Sequence, residues 1–210
     1  MPVQDFNGDT FVAFTDISGF KEMMNNKKQA VRALDRLNQA GFNVLRQNND
    51  INGFFISDCG ILFVRNINRS REEQLASLLE VVENINRRLL NDNIMLTTSI
   101  AYGLFSYHQR IEFQGIEKNP IYGNAYVAAF LDNENGKPKI QPGQCRILEN
   151  ENYHFDFPLP GRLKKKGNHH YFYWMVDHEN EINQFETDYK DTYKLKYQGM
   201  LSALKRPNIV

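Results

Sequence analysis

The chain carries no net charge and almost no cysteine: 25 Lys+Arg stand against 25 Asp+Glu, and the only thiols are Cys59 and Cys145. Without a basic excess, a nucleic-acid partner held by counterion release is not expected. Two cysteines outside any CxxC pattern exclude a disulfide framework and a thiolate metal knuckle. No apolar run approaches the ~18 residues of a membrane span. The opening MPVQDFNGDT lacks the basic-then-apolar layout of a signal peptide, so the expectation is a cytoplasmic protein with no membrane partner. The histidines, His108, His154, His169, His170 and His178, show no HxxxH or HExxH spacing, which argues against imidazole ligation of a metal. What is present is apolar material: 41% of 210 residues are hydrophobic and 12% aromatic, enough for one domain with a real core. No internal repeat and no Gly/Ser or Pro linker divides it.

The apolar segment from Phe11 to Ile17 is aromatic and β-branched and stops at Ser18-Gly19, which predicts a buried strand and a tight turn. Helical spacing of Met24, Val31, Leu34, Leu37, Gly41 and Leu45 predicts a helix from Phe20 to about Arg46. Two apolar runs between Ile51 and Val64, hinged at Ser57-Asp58-Cys59-Gly60, predict a β-hairpin. Ser70 and Glu73 form a capping box, followed by one stripe of Leu75, Leu78, Leu79, Val82, Ile85 and Leu89. Met95 to Leu104 alternates and predicts a central strand ending at Gly103. The order β-α-β-β-α-β is that of an α+β, ferredoxin-like βαββαβ core with two helices on one face of an antiparallel sheet. Gly123 to Leu131 reads as helix and Tyr171 to Val176 as a late strand. The polar residues 177–210 read as a helical extension to a catalytic domain over 1–176.

Asp16 interrupts an apolar strand, and an unpaired buried carboxylate costs several kcal/mol. It therefore needs a partner; read alone, it could equally cap the following helix. Asp58 falls at the hairpin bend, where Asp is also ordinary turn chemistry. In a ferredoxin-like sheet, however, the first strand and this hairpin are neighbours, so both carboxylates can converge. Such a pair repels unless cations sit between them, which is how two-metal phosphoryl-transfer sites are built. The turn Ile17-Ser18-Gly19-Phe20 offers backbone N–H groups to a phosphate beside those metals. The basic run Arg162 to Lys166 reads as a solvated hairpin or as lysines reaching a triphosphate tail. Asp132-Asn-Glu-Asn-Gly136 has its glycine out of register with a calcium loop and reads as a surface turn. Neither cysteine has a His–acid pattern that would make it a nucleophile.

These residues resemble a family. Phe14-Thr-Asp16-Ile-Ser-Gly-Phe20 is similar to the first metal-binding signature of class III nucleotidyl cyclases. Ser57-Asp58, 42 positions after Asp16, is similar to the second. Ser99-Ile-Ala-Tyr-Gly103 resembles the family's strand ending in glycine, and Gly123-Asn124-Ala resembles the start of its Asn- and Arg-bearing helix. Lys165-Lys166-Gly167 before Tyr171-Phe172 resembles its triphosphate-lysine hairpin. The resemblance implies a head-to-tail homodimer with sites at the interface. It implies conversion of a nucleoside triphosphate to its 3′,5′-cyclic monophosphate and pyrophosphate. Asp16 and Asp58 would hold two Mg²⁺ or Mn²⁺, with the Ile17 carbonyl as a further ligand. Ser18, Gly19, Phe20, Phe54, Asn124, Lys165 and Lys166 would contact the nucleotide.

The chain also departs from the pattern. Val127 and Phe130 stand where the family has its transition-state Asn and Arg. Phe54 and Pro120 stand at the purine-reading positions. An aromatic wall at Phe54 favours a pyrimidine, UTP or CTP, and this pattern is similar to the stand-alone pyrimidine cyclases of bacterial anti-phage signalling. Asn124, Arg146 or Arg162 are the candidates to replace the missing groups. The alternatives are an adenylate cyclase with an atypical base pocket and a catalytically inactive nucleotide-binding module.

Overall fold

The computed structural model describes residues 5–108, 110–112, 116–118, 120–149, 154–155, 157, 161–192 and 196–205. In chain order the elements are β1 (Phe6–Ile17), α1 (Phe20–Met23), α2 (Lys27–Leu45), β2 (Ile51–Ile56), β3 (Cys59–Val64), α3 (Arg71–Asn91), β4 (Leu96–Tyr107), β5 (Arg110–Glu112), β6 (Ile116–Lys118), β7 (Ile121–Tyr122) and α4 (Asn124–Asn135). They continue with β8 (Cys145–Leu148), β9 (Leu163–Lys166), β10 (His169–Phe172), α5 (Ile182–Thr192) and α6 (Lys196–Lys205).

β1 decides the architecture. Its run Phe11–Phe14 is buried on both faces, as a central strand requires. Side chains alternate, so Phe11, Ala13 and Ile17 enter one core while Val12, Phe14 and, by the same period, Asp16 lie on the other face. β1 pairs antiparallel with β3 and β4, and the sheet runs β2-β3-β1-β4-β8-β10-β9. The first four strands give the expected ferredoxin-like order. α2 and α3 cover the Phe11 face with Ala33, Leu37, Ala40, Leu75, Leu78 and Val82. The predicted α3 stripe is buried throughout. The Ser70 hydroxyl accepts from the Glu73 N–H at 3.3 Å, and the Glu73 carboxylate accepts from the Ser70 N–H at 3.0 Å.

Three boundaries differ from the sequence expectation. The helix expected from Phe20 to Arg46 is two helices, because the Asn26 side chain accepts from the Gln29 N–H at 3.3 Å and starts α2 afresh. That break resets the helical phase and leaves Met24 and Val31 exposed. β4 does not stop at Gly103 but runs on to Tyr107; Gly103 sits within it at φ 151°, and the Asn124 side chain fills the space a Cβ would need. The late strand covers only His169–Phe172; Tyr173–Val176 stay buried outside the sheet, with the Trp174 indole donating to the Gly143 carbonyl at 2.8 Å.

α4 covers the second face, where Ala125 and Ala129 pack on Val12, Phe14 and Ala101. α5 and α6 come from the extension. Ile182, Phe185, Met200, Leu201 and Leu204 join the main core. Among the described residues no helix is long and apolar enough to cross a membrane.

Candidate active site

Asp16 is the penultimate residue of β1, in register with Cys59 on β3 and Thr97 on β4. Asp58 immediately precedes Cys59, in the two-residue turn of the β2–β3 hairpin, where Ser57 takes φ 56°. The Ile17 N–H donates to the Asp58 carbonyl at 3.0 Å and so ties the turn to the end of β1. The two carboxylates expected to converge therefore stand at adjoining strand ends. After Ile17 the chain leaves the sheet through Ser18 and Gly19, whose φ of 76° is the left-handed conformation that favours glycine.

Burial pushes the Asp16 carboxyl up to about 7, and the negative charges of Asp58 and Glu134 push in the same direction. Lys139 lines the cavity next to Asp16, but no cationic side chain among the described residues lowers the Asp16 value. The neighbouring Cys59 thiol is pushed up to about 11 by burial and by Asp16 and Asp58, which makes it a poor nucleophile. Among the described residues no group of three His, Cys, Asp or Glu side chains converges on a metal position. Two carboxylates beside a backbone carbonyl nonetheless fit the way Mg²⁺ is held, through one or two carboxylates completed by water and substrate phosphates.

On the β4 side of Asp16 lies a cavity of about 650 Å³, lined by Asp16, Ser18, Gly19, Thr97, Asn133 and Glu134, with Met200 of α6 at its wall. The backbone of the turn is partly committed. The Ile17 and Ser18 N–H groups donate to the carbonyls of Asp58 and Met95 at 3.0 and 2.9 Å. The N–H groups of Gly19, Phe20 and Lys21 have no partner among the described residues. The Phe20 side chain is buried in the main core, so only its backbone faces the turn.

The other predicted residues are more scattered. Phe54 pairs with Ile61 in the hairpin, half-buried on the Asp16 face, its ring 5.3 Å from that of Tyr107. Asn124 opens α4 and is occupied against Gly103. Lys165 and Lys166 lie on β9, four strand spacings from β1, about 19 Å at the usual separation. There Lys165 pairs with Glu149 and Lys166 with Glu186.

Two expected substitutes for the missing donors are engaged away from Asp16 of their own copy. Arg146 is fully buried and makes a two-pronged pair with Asp132, Nε to Oδ2 at 2.7 Å and Nη2 to Oδ1 at 2.8 Å. Arg162 is held on the opposite side of the sheet by Glu83 at 2.8 Å and the Val176 carbonyl at 2.9 Å.

Residues 132–136 are not the surface turn expected of them. They form the last turn of α4 and its cap, with Asp132 and Asn133 buried. Ser99 Oγ donates to Asp132 at 2.7 Å, and His169 Nε2 lies 2.9 Å from its other oxygen. Burial opposes ionisation of Asp132, but the hydrogen bonds from His169, Arg146 and Ser99 outweigh it and hold the carboxyl below its usual range. The 3.6-residue period did carry a signal: Ala125, Ala129 and Asp132 share one helix face.

No protein-family model and no curated protein matches the sequence. Solved structures do match the fold. A guanylyl cyclase, Cya2, superposes with a TM-score of 0.54 at 11% identity over 80% of this chain and 92% of its own. The adenylyl cyclase CyaB from P. aeruginosa gives 0.53 at 14% identity over 70% and 79%. The guanylate cyclase domain of RhGC from Catenaria anguillulae, solved in complex with GTP, gives 0.54 at 10% identity over 70% and 80%. At these identities the likeness is one of fold: the chain has the α+β fold of nucleotide cyclase catalytic domains.

Proposed function

We propose that this chain is a metal-dependent nucleotide cyclase that converts UTP or CTP to the 3′,5′-cyclic monophosphate and pyrophosphate, working as a homodimer with its sites at the interface. The observation that carries this reading is the pair of carboxylates at adjoining strand ends, Asp16 half-buried and its carboxyl raised by burial and by the charges of Asp58 and Glu134. In the reaction the ribose 3′ oxygen bonds to the α-phosphorus, and the bond to pyrophosphate breaks with its electron pair. The 3′ hydroxyl proton leaves to solvent. Two Mg²⁺ or Mn²⁺ held by Asp16, Asp58 and the Ile17 carbonyl would supply Lewis acidity toward the 3′ hydroxyl and the phosphates.

The chain's own residues place the nucleotide. The N–H groups of Gly19 and Phe20 are open to phosphate oxygens, with Ser18 beside them. Lys165 and Lys166 are too far from Asp16 of their own copy, so they would serve the site of the second. Support for a second copy comes from α4, where Val127, Phe130 and Leu131 are exposed on the Asp16 side of the sheet together with Ile56. Phe54 narrows that same face, and Pro120, not a charged residue, stands at the second purine-reading position. A cyclic pyrimidine would be a second messenger, in keeping with the resemblance to the anti-phage pyrimidine cyclases.

The test is incubation of the protein with ATP, GTP, CTP and UTP separately, with Mn²⁺, reading products by mass spectrometry. Cyclic UMP or CMP is the expected product. Cyclic AMP or GMP would keep the cyclase and discard the pyrimidine pocket. No product from a dimeric, metal-binding protein would favour a non-catalytic nucleotide-binding module, the reading that the apolar Val127 and Phe130 support. If Phe54 restricts the base, Phe54→Ala should raise purine turnover relative to pyrimidine by about tenfold. An unchanged nucleotide profile would remove Phe54 from the pocket.

A further inference from the structure

The cavity beside Asp16 holds two polar groups that the protein itself does not satisfy. Ser18 and Asn133 are each 6% exposed, and neither Ser18 Oγ nor Asn133 Nδ2 has a hydrogen-bond partner among the described residues. Both residues line the same cavity wall as Asp16. The Asn133 amide is not free to turn. The Thr97 hydroxyl donates to Asn133 Oδ1 at 3.0 Å, and Thr97 is the β4 residue in register with Asp16. One residue earlier, Asp132 is fastened to the sheet by Arg146, Ser99 and His169. The last turn of α4 is thus locked on three sides, with the amide N–H₂ left over.

A buried donor without a partner is a standing cost in the free protein, and native structures rarely keep one without a use. An acceptor arriving at the Asn133 amide finds it already oriented by Thr97, and a donor fixed in advance is the condition for strong stabilisation of developing charge. We infer that Asn133, assisted by Ser18, donates to a non-bridging oxygen of the α-phosphate as the 3′ oxygen attacks it, from the same copy that supplies Asp16. The inference rests on the cyclase reading and assigns to that site a catalytic donor on the final turn of α4. The donors act only on the phosphate oxygen; the bonds made and broken are those of the cyclisation, with pyrophosphate leaving.

The test compares Asn133→Leu, which keeps the heavy-atom count but removes both the amide donor and the oxygen that accepts from Thr97, with Ser18→Ala, using the nucleotide that the wild type cyclises best. Asn133→Leu should lower kcat by about 100-fold with KM changed by only a few-fold, the effect of losing one preorganised donor. Ser18→Ala should lower kcat about tenfold without lowering the melting temperature, because its hydroxyl has no partner to lose among the described residues. Thr97→Ser should retain activity and Thr97→Val should lose part of it, as expected of a positioning hydroxyl. An unchanged kcat in Asn133→Leu would overturn the assignment; should that variant fail to fold, an unchanged kcat in Ser18→Ala would do so. A fall in melting temperature with kcat intact would make Asn133 structural only. A wild type that cyclises no nucleotide defeats the cyclase reading itself, a result distinct from these.

Discussion

Asp16→Asn is expected to abolish turnover and, in the metal-free protein at pH 8, to raise the melting temperature. The two effects share one cause. Burial, Asp58 and Glu134 lift the folded-state value of Asp16 from near 3.8 to about 7. A carboxyl raised in this way binds its proton more tightly when folded. Its ionisation therefore leaves stability untouched below about pH 4, erodes it between about pH 4 and 7, and costs a constant amount above that. For a half-buried carboxyl partly screened by solvent the loss is on the order of 2 kcal/mol. Asparagine keeps the shape without the charge, so the variant should melt about 4–8 °C higher at pH 8 and nearly level with the wild type at pH 4. Mn²⁺ should stabilise the wild type at pH 8 by about 2.7 kcal/mol at 100 times its dissociation constant and leave the variant unmoved. Turnover should fall at least about a thousandfold, since several kcal/mol of transition-state stabilisation are removed. The decisive readings are melts at both pH values with and without metal. A variant less stable than the wild type at pH 8 would mean that Asp16 is satisfied within the protein and is not a vacant ligand.

The same residue shows what could be read from the sequence. A charge in the run Phe11–Ile17 is visible without a structure, because a central strand has no other reason to contain one. The hairpin around Asp58 and the capping box at Ser70 were visible for a similar reason: each is a local pattern whose physics is complete within a few residues. The βαββαβ order followed from such patterns in series. What could not be read was anything set by long-range pairing. Arg146 looked like a free cation, and only the parallel pairing of β8 with β4 shows that it points at Asp132 and is fully buried. Residues 132–136 looked like a turn because Asp, Asn, Glu and Gly are turn formers, yet tertiary hydrogen bonds draw them into α4. Asn133 was missed for the same reason, since its amide is held by Thr97, 36 residues away.

Arg146→Met should be the most destabilising single change outside the apolar core. The guanidinium is 0% exposed and holds both Asp132 oxygens, the Asp132 carbonyl at 3.0 Å and the Pro138 carbonyl at 2.6 Å. Bringing these charges out of water was costly, so the pair itself adds little net stability. Breaking it is another matter. Removing the arginine leaves Asp132 charged, buried and short of two donors, at about 3–5 kcal/mol, or a melting temperature lower by roughly 6–20 °C. Arg146→Lys should recover only part of this, because an ammonium cannot reproduce the two-pronged geometry. The double variant Arg146→Met with Asp132→Leu removes the stranded charge and should be about 1–3 kcal/mol more stable than Arg146→Met alone, a coupling that a thermodynamic cycle measures directly. Yet the double variant should not recover kcat. Its last α4 turn loses the anchors at Ser99 and His169, and Asn133, one residue on, is no longer held in place beside Asp16. Stability regained with activity still missing would separate what the buried cluster does for the fold from what it does for the site; activity regained together with stability would show that the cluster serves the fold alone.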